Sequence, residues 1–530
     1  QPPGTGDGAG NAMNARAKKI FLLLLAAALL FSSGQMQKSL NRARAQLGLT
    51  ISEPLQNAPP MLAFTTVALG GFRGLISNYL WIRANDLQQD DKFFEAAQLA
   101  DWITDLEPHF GQVWVFQAWN MAWNISVKFK DFTDRWHWVE HGMELLRDDG
   151  LRYNPDNTLI YQWLGWIFQS KMGQNLDDAN LYYKQQWAEA MTPFFAPNGT
   201  NFSALIHPQT PEARTNVLLL REKYKIDPVF AQKVDEQWGP FDWRLPETHA
   251  IYWYALGLEK AKENPSKVKQ ADLITLRRGI YQSLLQAFHH GRLIANPFNS
   301  SYELGPNLDL IPKLNDAYEE MMKEDPKSHD NIANAHKNFL KDAVYFLYED
   351  NRLAEAAKWF HYLGQQYPDK PLIVGNPNSF PSQMSLDEYA VAVVQEDIGE
   401  TSQERVTAAI EGMLARAYEA LAIGQDDRYA GFKLLAGKVY QHYQAEIGKM
   451  KSNVQRIGLP PFADLNRDVL NQLLDTQHEM IPYAARAVIR TQLRMPTETN
   501  TPPGATISTN MIAPAVSSGT NAPATNSIGK

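Results

Sequence analysis

The chain has 530 residues, of which 44% are hydrophobic and 20% are charged, so most of it is expected to fold as several domain-sized units or one elongated array. Its net charge of -8 argues against a nucleic-acid surface, which needs clustered Lys and Arg. The chain has no cysteine, which excludes disulfides, thiolate nucleophiles, Cys-ligated zinc and iron–sulfur clusters.

The N-terminal region, residues 1–36, has the pattern of a membrane-targeting segment. A basic stretch at 16–19 precedes an apolar run from Ile20 to Phe31. This order is typical of a secretory signal peptide or a short signal anchor, although the run is shorter than the ~20 residues that span a bilayer comfortably. Both interpretations stay open, because small residues before Gln35 would suit a signal peptidase. We expect the N-terminus on the cytoplasmic side and the body outside the cytoplasm.

Residues 37–72 are expected to connect this segment to the folded body. They include a second apolar stretch from Met61 to Phe72, and apolar residues continue from Leu75 to Ile82. The second stretch is too short to span a bilayer, which takes ~20 residues. We therefore interpret it as the first buried helix of the body, with a second membrane-embedded segment as the alternative.

A pattern of paired helices recurs between residues 73 and 450. The clearest example runs from Lys337 to Pro368, with bulky, small and aromatic residues at fixed intervals. Small residues let two helices approach closely, and the proline ends the second helix because it cannot continue the hydrogen-bond ladder. Similar spacings occur from Leu80 to Pro108, from Trp114 to Pro155, after Tyr161, after Trp253 and in residues 402–448.

These spacings resemble the tetratricopeptide repeat (TPR), a pair of antiparallel helices of about 34 residues. The segments ALGGFRGLISNYLWIRA and QLADWITDLEP also resemble a group of membrane-anchored bacterial TPR proteins. The resemblance implies an all-α fold, a TPR-like α-solenoid of stacked antiparallel helix pairs. It further implies an envelope location and a scaffold role, and it implies no catalytic residue.

Proline and composition divide the rest of the chain. Residues 192–248 contain seven prolines with turn-forming neighbours, which predict a long irregular insertion with one helix around 211–224. The C-terminal tail is rich in Thr, Asn, Pro, Ala and Ser and is predicted to be disordered. The expected order is TPR-like repeats in 73–191, the Pro-rich insertion in 192–248, repeats in 249–450, C-terminal helices in 451–495 and the tail in 496–530.

One short motif points to metal chemistry. His137, Glu140 and His141 form an H-x-x-E-H string, the order of the inverzincin zinc peptidases, in which the histidines bind zinc and the glutamate is the general base. The string is short, and the neighbouring Trp136 and Trp138 favour a packing role for this helix. We therefore predict a protein that is not an enzyme and holds no metal or cofactor, with a zinc hydrolase as a remote alternative.

The predicted function is a membrane-tethered scaffold or adaptor that binds a protein or peptide partner in the bacterial cell envelope, on the periplasmic side. No nucleic-acid partner is expected. Most tryptophans around residue 120 are expected in the core. In TPR-like arrays the first helix of each pair lines a concave groove, so Asn120 and Trp123 are candidate groove residues. The alternative is a fixed structural subunit of a larger envelope complex.

Overall fold

The computed structural model describes residues 15–46, 73–196, 199–265, 268–298, 302–398, 403–449 and 458–498. These residues are almost wholly helical, and the one sheet among them has two strands, so the prediction of an all-α fold is confirmed. The second apolar stretch, Met61 to Phe72, and the tail from residue 499 lie outside the described residues.

The chain divides into two compact units, and each unit is built from two separate parts of the sequence. The first comprises Gln1–Leu164 and Tyr254–Arg277, and the second comprises Gly165–Trp253 and Arg278–Lys530. In sequence order, the first part of the second unit therefore interrupts the first unit. The segment 192–248, predicted as an insertion, lies wholly within that interrupting part.

The N-terminal helix α1 (Ala15–Gln46) carries the apolar run. Its segment Lys19–Leu40 has 22 residues and a mean hydropathy of 1.7, and none of it is buried against the protein. Within the described ranges this is the one helix that is long and apolar enough to cross a membrane, and a signal sequence would have the same properties. The helix is longer than the predicted run because helical residues continue on both sides of it.

The next helices are α2 (Arg73–Gln89), α3 (Phe93–Leu106), α4 (Gly111–Trp119), α5 (Phe132–Glu144) and α6 (Thr158–Trp166). Helix α3 packs against α2 and α4. It ends just before Pro108, as predicted for a helix followed by proline. Its buried residues recur at intervals of three and four, the pattern of one helix face. They are Phe93, Ala96, Ala97, Ala100, Ile103 and Thr104.

Helices α4 and α5 approach closely where both have small residues. A Cβ atom on Gly142 of α5 would lie 2.8 Å from the main-chain oxygen of Ala118, so this position has no room for a side chain. Ala118 itself is fully buried, as is Ala122 in the π-helical turn Asn120–Ile125 that extends α4. This contact sets the distance between the two helices and therefore the position of every side chain on α5.

The chain continues with α7 (Asn180–Met191), α8 (Phe202–Ile206), α9 (Pro211–Glu222), α10 (Pro228–Trp238) and α11 (Pro246–Glu263). The region 192–248 thus contains three whole helices, where one had been predicted in an irregular segment. Thr210 caps α9 with its side-chain oxygen, and Pro211 follows as the first helical residue. Asp227 and Pro228 play the same parts in α10. Proline suits this position because a backbone N–H has no helical partner there.

The segment between α10 and α11 contributes polar side chains to the core of the second unit. Residues 241–245 are all buried. The guanidinium of Arg244 pairs with the carboxylate of Asp242 at 2.6 Å. The indole Nε1 of Trp243 donates a 2.8 Å hydrogen bond to the carboxylate of Asp235. These groups are stable in the interior because each has a partner.

Glu247, in the first turn of α11, lacks such a partner. Only 1% of the residue is exposed, and neither carboxylate oxygen accepts a hydrogen bond from another residue. Burial raises its pKa to about 7, and the positive charge of the buried Lys184 opposes that rise. The folded protein therefore holds the proton of Glu247 more tightly than the unfolded chain does.

The remaining elements lie between Gln270 and Gln492. They are α12 (Gln270–His290), β1 (Arg292–Ala295), β2 (Tyr302–Gly305), α13 (Ile311–Glu324), α14 (His329–Glu349), α15 (Leu353–Gln366), α16 (Leu386–Ile398), α17 (Gln403–Ala422), α18 (Asp426–Lys449), α19 (Phe462–Leu473) and α20 (Tyr483–Gln492). Strands β1 and β2 pair antiparallel, with Arg292 opposite Gly305, and no strand had been predicted there. Helices α14 and α15 pack together, as do α17 and α18.

Gly431 of α18 lies against the end of α14 and offers a test of this packing. A Cβ atom there would lie 1.8 Å from the main-chain oxygen of Glu349, so Gly431→Ala forces the backbone to move and is expected to destabilise the protein by about 1–3 kcal/mol. The matched control is Gly412→Ala in the exposed face of α17, where nothing lies within 4 Å. That change is expected to stabilise by about 0.5–1 kcal/mol. Urea unfolding of both variants checks the pair, and equal effects would contradict the contact.

The raised pKa of Glu247 predicts how stability depends on pH. As pH rises from about 4.5 to 7, the unfolded chain loses this proton before the folded protein does, which lowers the free energy of unfolding by up to about 3 kcal/mol. Glu247→Gln cannot lose a proton, so its stability relative to wild type should increase across this window. Chemical denaturation at pH 5 and pH 8 measures the difference.

The exposed Glu212 of α9 provides the control for this measurement. Glu212→Gln is expected to follow the wild-type pH dependence, since its side chain is in water in both states. A constant difference between Glu247→Gln and wild type at the two pH values would show that Glu247 is ionised throughout.

Candidate functional site

A pocket of about 470 Å³ opens between α3 and α5 in the first unit. Both helices contribute to its walls, and the π-helical turn after α4 contributes Met121. We call it the α3–α5 pocket. Its lining residues are Phe94, Glu95, Ala97, Gln98, Asp101, Met121, His137, Trp138 and His141.

The outer face of α3 supplies one side of the pocket. Phe94, Gln98 and Asp101 are exposed, and Trp102 and Asp105 continue the same face at helical intervals. Half of the surface of Phe94 and half of that of Trp102 are exposed. Because the alanines of α3 occupy the buried face, these two aromatic side chains remain on the outside. Large apolar side chains on the polar face of an amphipathic helix often mark a contact surface.

The aromatic wall of the pocket is held in place by packing. The rings of Phe94 and Trp138 meet edge to face with centroids 5.7 Å apart. Trp138 also stacks on Phe129 at 6.3 Å. Both Trp138 and Phe129 pack against a buried cluster that includes Ala97 and Met121. The pocket therefore has an apolar floor that belongs to the core and aromatic sides that are fixed to it.

Asp101 provides an anchored carboxylate at the rim. Its Oδ1 accepts a hydrogen bond from Nε2 of Gln117, a fully buried side chain of α4. Partial burial raises the pKa of Asp101, while the hydrogen bond from Gln117 and the nearby His141 lower it and Asp105 adds to the rise. The hydrogen bond fixes the rotamer of Asp101, so its second oxygen has a set position at the pocket.

His137 and His141 face the pocket from α5, one helical turn apart as the H-x-x-E-H motif predicts. Their rings are nearly parallel, with centroids 6.0 Å apart. Glu140, the third residue of the motif, is half-buried and does not line the pocket. Among the residues that the structure describes, no group of three or more His, Asp or Glu side chains is placed to hold a metal ion.

The two predicted groove residues lie beside the pocket and do not line it. Asn120 is fully buried, and its Nδ2 donates a 3.0 Å hydrogen bond to the main-chain oxygen of Phe93, the first residue of α3. Trp123 is half-buried and meets Trp163 edge to face at 6.4 Å. The hydrogen bond from Asn120 thus holds the first residue of α3 in place. The assignment of Asn120 and Trp123 to a concave groove stays a prediction.

Sequence reasoning missed Phe94, Asp101 and Trp138 as site residues. Phe94 and Trp102 stand eight residues apart on the face of α3 opposite its alanines, and that spacing was a usable signal. The contact between α3 and α5 left no signal in the sequence. Their facing residues are about 40 positions apart, and no local pattern predicts such a pairing.

The histidine pair permits a direct test for zinc. The purified protein is expected to contain less than one zinc ion per chain, since the described part of the chain places no third ligand beside the two histidines, and two histidines bind zinc weakly. Elemental analysis of wild type and of His137→Ala should give the same low zinc content. A stoichiometric zinc content that falls in His137→Ala would contradict this expectation and support the hydrolase alternative.

Comparison with known proteins assigns the chain to no family. No model of a protein family matches the sequence, and no curated protein matches it either. The resemblance to TPR proteins therefore rests on the residue spacing and the two segments described above, and every role given to a residue of the α3–α5 pocket comes from its geometry in this structure.

Proposed function

We propose that this protein is a membrane-tethered, non-catalytic scaffold that binds a protein partner through the α3–α5 pocket. The observation that carries the proposal is the pocket itself, which combines an apolar floor, the aromatic side chains of Phe94 and Trp138 and an acidic rim. Aromatic side chains in partly desolvated pockets dominate the energy of many protein interfaces. A volume of about 470 Å³ is large enough for a side chain or a short peptide segment of a partner.

The helical architecture supports a scaffold role. Neighbouring helices pack as α2 with α3, α14 with α15 and α17 with α18, and all three pairs coincide with predicted repeats. We propose that these pairs are units of a TPR-like solenoid of stacked antiparallel helices. Such arrays offer extended surfaces for partners and have no preformed catalytic cleft.

Helix α1 supports the tether. Its apolar segment Lys19–Leu40 is exposed on all sides in the isolated chain, and an exposed apolar helix of this length is stable in a bilayer. We propose that it remains attached as a signal anchor. We further propose that the N-terminus lies on the cytoplasmic side, which the basic stretch at 16–19 favours, and that the body lies in the periplasm.

A fixed subunit of a larger envelope complex is the second candidate. The exposed rings of Phe94 and Trp102 favour it, because permanent interfaces are more apolar than transient ones. The two candidates differ in exchange: an adaptor releases its partner and binds it again, whereas a fixed subunit is purified with its partner at equal stoichiometry.

Site-specific photocrosslinking in native membranes tests the proposal. A photoreactive amino acid at Gln98, in the wall of the pocket, is expected to give one dominant protein adduct, and the same residue at the exposed Glu212 of α9 is expected not to give it. Trp138→Ala should reduce the adduct, because it removes an aromatic side of the pocket.

Two results would count against the proposal. Identical adducts from Gln98 and Glu212 would indicate random collisions, and no adduct at Gln98 would indicate that the pocket meets no protein. Addition of excess unlabelled protein without helix α1 (residues 73–530) before irradiation separates the two candidates: an adaptor loses its adduct by exchange, and a fixed subunit keeps it.

A further inference from the structure

We propose that the α3–α5 pocket takes the cationic side chain of a lysine or arginine from its partner. This inference rests on the proposed function, since it names the chemistry by which that partner is recognised. It concerns which side chain enters the pocket, and the experiment below separates this question from whether a protein partner exists.

The charge of the pocket favours a cation. Glu95 and Asp101 of α3 both line it, and none of its lining residues is Lys or Arg. The nearby ammonium of Lys128 lies 5.0 Å from the ring centroid of Phe93 and is thus placed over an aromatic face outside the pocket. The imidazoles of His137 and His141 also line the pocket and add ring surface and nitrogen atoms to its wall.

The apolar part of the pocket fits the stem of such a side chain. Ala97 and Met121 are less than one-tenth exposed and form the floor, whereas Glu95 and Asp101 are exposed at the rim. Lysine and arginine place their methylene groups on apolar surface and keep the charged end in a polar region. The side chain would therefore lie along the floor with its charge at the rim.

The aromatic sides add a second attraction for a cation. Trp138 and Phe94 both line the pocket, and their rings meet edge to face. A cation over an aromatic face is attracted by the ring quadrupole, most strongly for tryptophan. An acidic side chain would be repelled by the carboxylates of Glu95 and Asp101. An aliphatic side chain would cover Asp101 without pairing its charge.

The hydrogen bond from Gln117 prepares the site for binding. It holds the Asp101 carboxylate in one rotamer before any ligand arrives, so the ligand does not have to order it. Gln117 is a positioning residue in this scheme, because it acts through Asp101 and is itself buried beneath the surface.

The absence of cysteine from the chain makes a clean probe possible. In the full-length protein in detergent, Gln98→Cys carries a trifluoromethyl label at the pocket, and Glu212→Cys carries the same label on α9 as the control. The probes are Nα-acetyl-lysine methylamide and its neutral isostere Nα-acetyl-norleucine methylamide. Fluorine NMR follows the titration of each labelled protein with each probe.

The lysine probe is expected to shift the Gln98→Cys signal with a dissociation constant on the order of 1 mM and to leave the Glu212→Cys signal unchanged. The norleucine probe should bind about fivefold more weakly, the size of an exposed cation–π or ion-pair contribution. Asp101→Asn, an exposed and nearly isosteric change, should remove this preference, and Glu95→Gln should reduce it. Circular dichroism confirms that each variant is folded.

Three results would overturn the inference. They are equal binding of the lysine and norleucine probes, a preference that survives in both Asp101→Asn and Glu95→Gln, and a signal shift with zinc chloride but none with the lysine probe, which would assign the pocket to a metal ion on the histidines. If photocrosslinking at Gln98 still succeeds in any of these cases, the partner exists and only its recognition by a cation is wrong.

Discussion

Close contact between neighbouring helices, made possible by small side chains, is the constraint on which the rest of this structure depends. Gly142 lies against the backbone at Ala118, and Gly431 lies against the backbone at Glu349, so neither contact tolerates even one added methyl group. Such contacts fix the spacing of helices more strictly than contacts between flexible side chains do. The α3–α5 pocket follows from this spacing, because the alanines of α3 turn inwards and leave Phe94 and Asp101 on the outer face.

The polar interior of the second unit follows a different rule. Asp242 and Arg244 are buried as a pair, and so are Lys171 and Asp177, whose atoms lie 2.5 Å apart. Buried pairs contribute little net stability, because desolvation offsets their attraction, but loss of one member is costly. Glu247 has no hydrogen-bonded partner residue of this kind. Its pKa is raised to about 7, so below that pH the buried carboxyl is protonated and uncharged.

Local spacing was enough to predict elements whose signals lie within a few turns of helix. The pair α14 and α15 matches the spacing from Lys337 to Pro368, and helices end before Pro108 and Pro368 because proline cannot extend them. Proline also explains why 192–248 was wrongly predicted to be mostly irregular. Pro211 and Pro228 each begin a helix there, directly after a capping residue. The hairpin at Arg292 was missed because four-residue strands carry too little pattern. The pocket needed knowledge of which helices are neighbours, and no local pattern supplies that.

The interrupted sequence of the first unit has a consequence for biosynthesis. Tyr161 and Gly257 belong to the two sequence parts of this unit and pack closely. A Cβ atom added to Gly257 would lie only 2.8 Å from the Cβ of Tyr161. The ribosome has to add roughly a hundred residues between them, which takes on the order of ten seconds. During that interval α2 to α5 have been synthesised while Tyr254–Arg277 has not, so a chaperone has time to act on them. Completion of the first unit is therefore timed by the synthesis of part of the second.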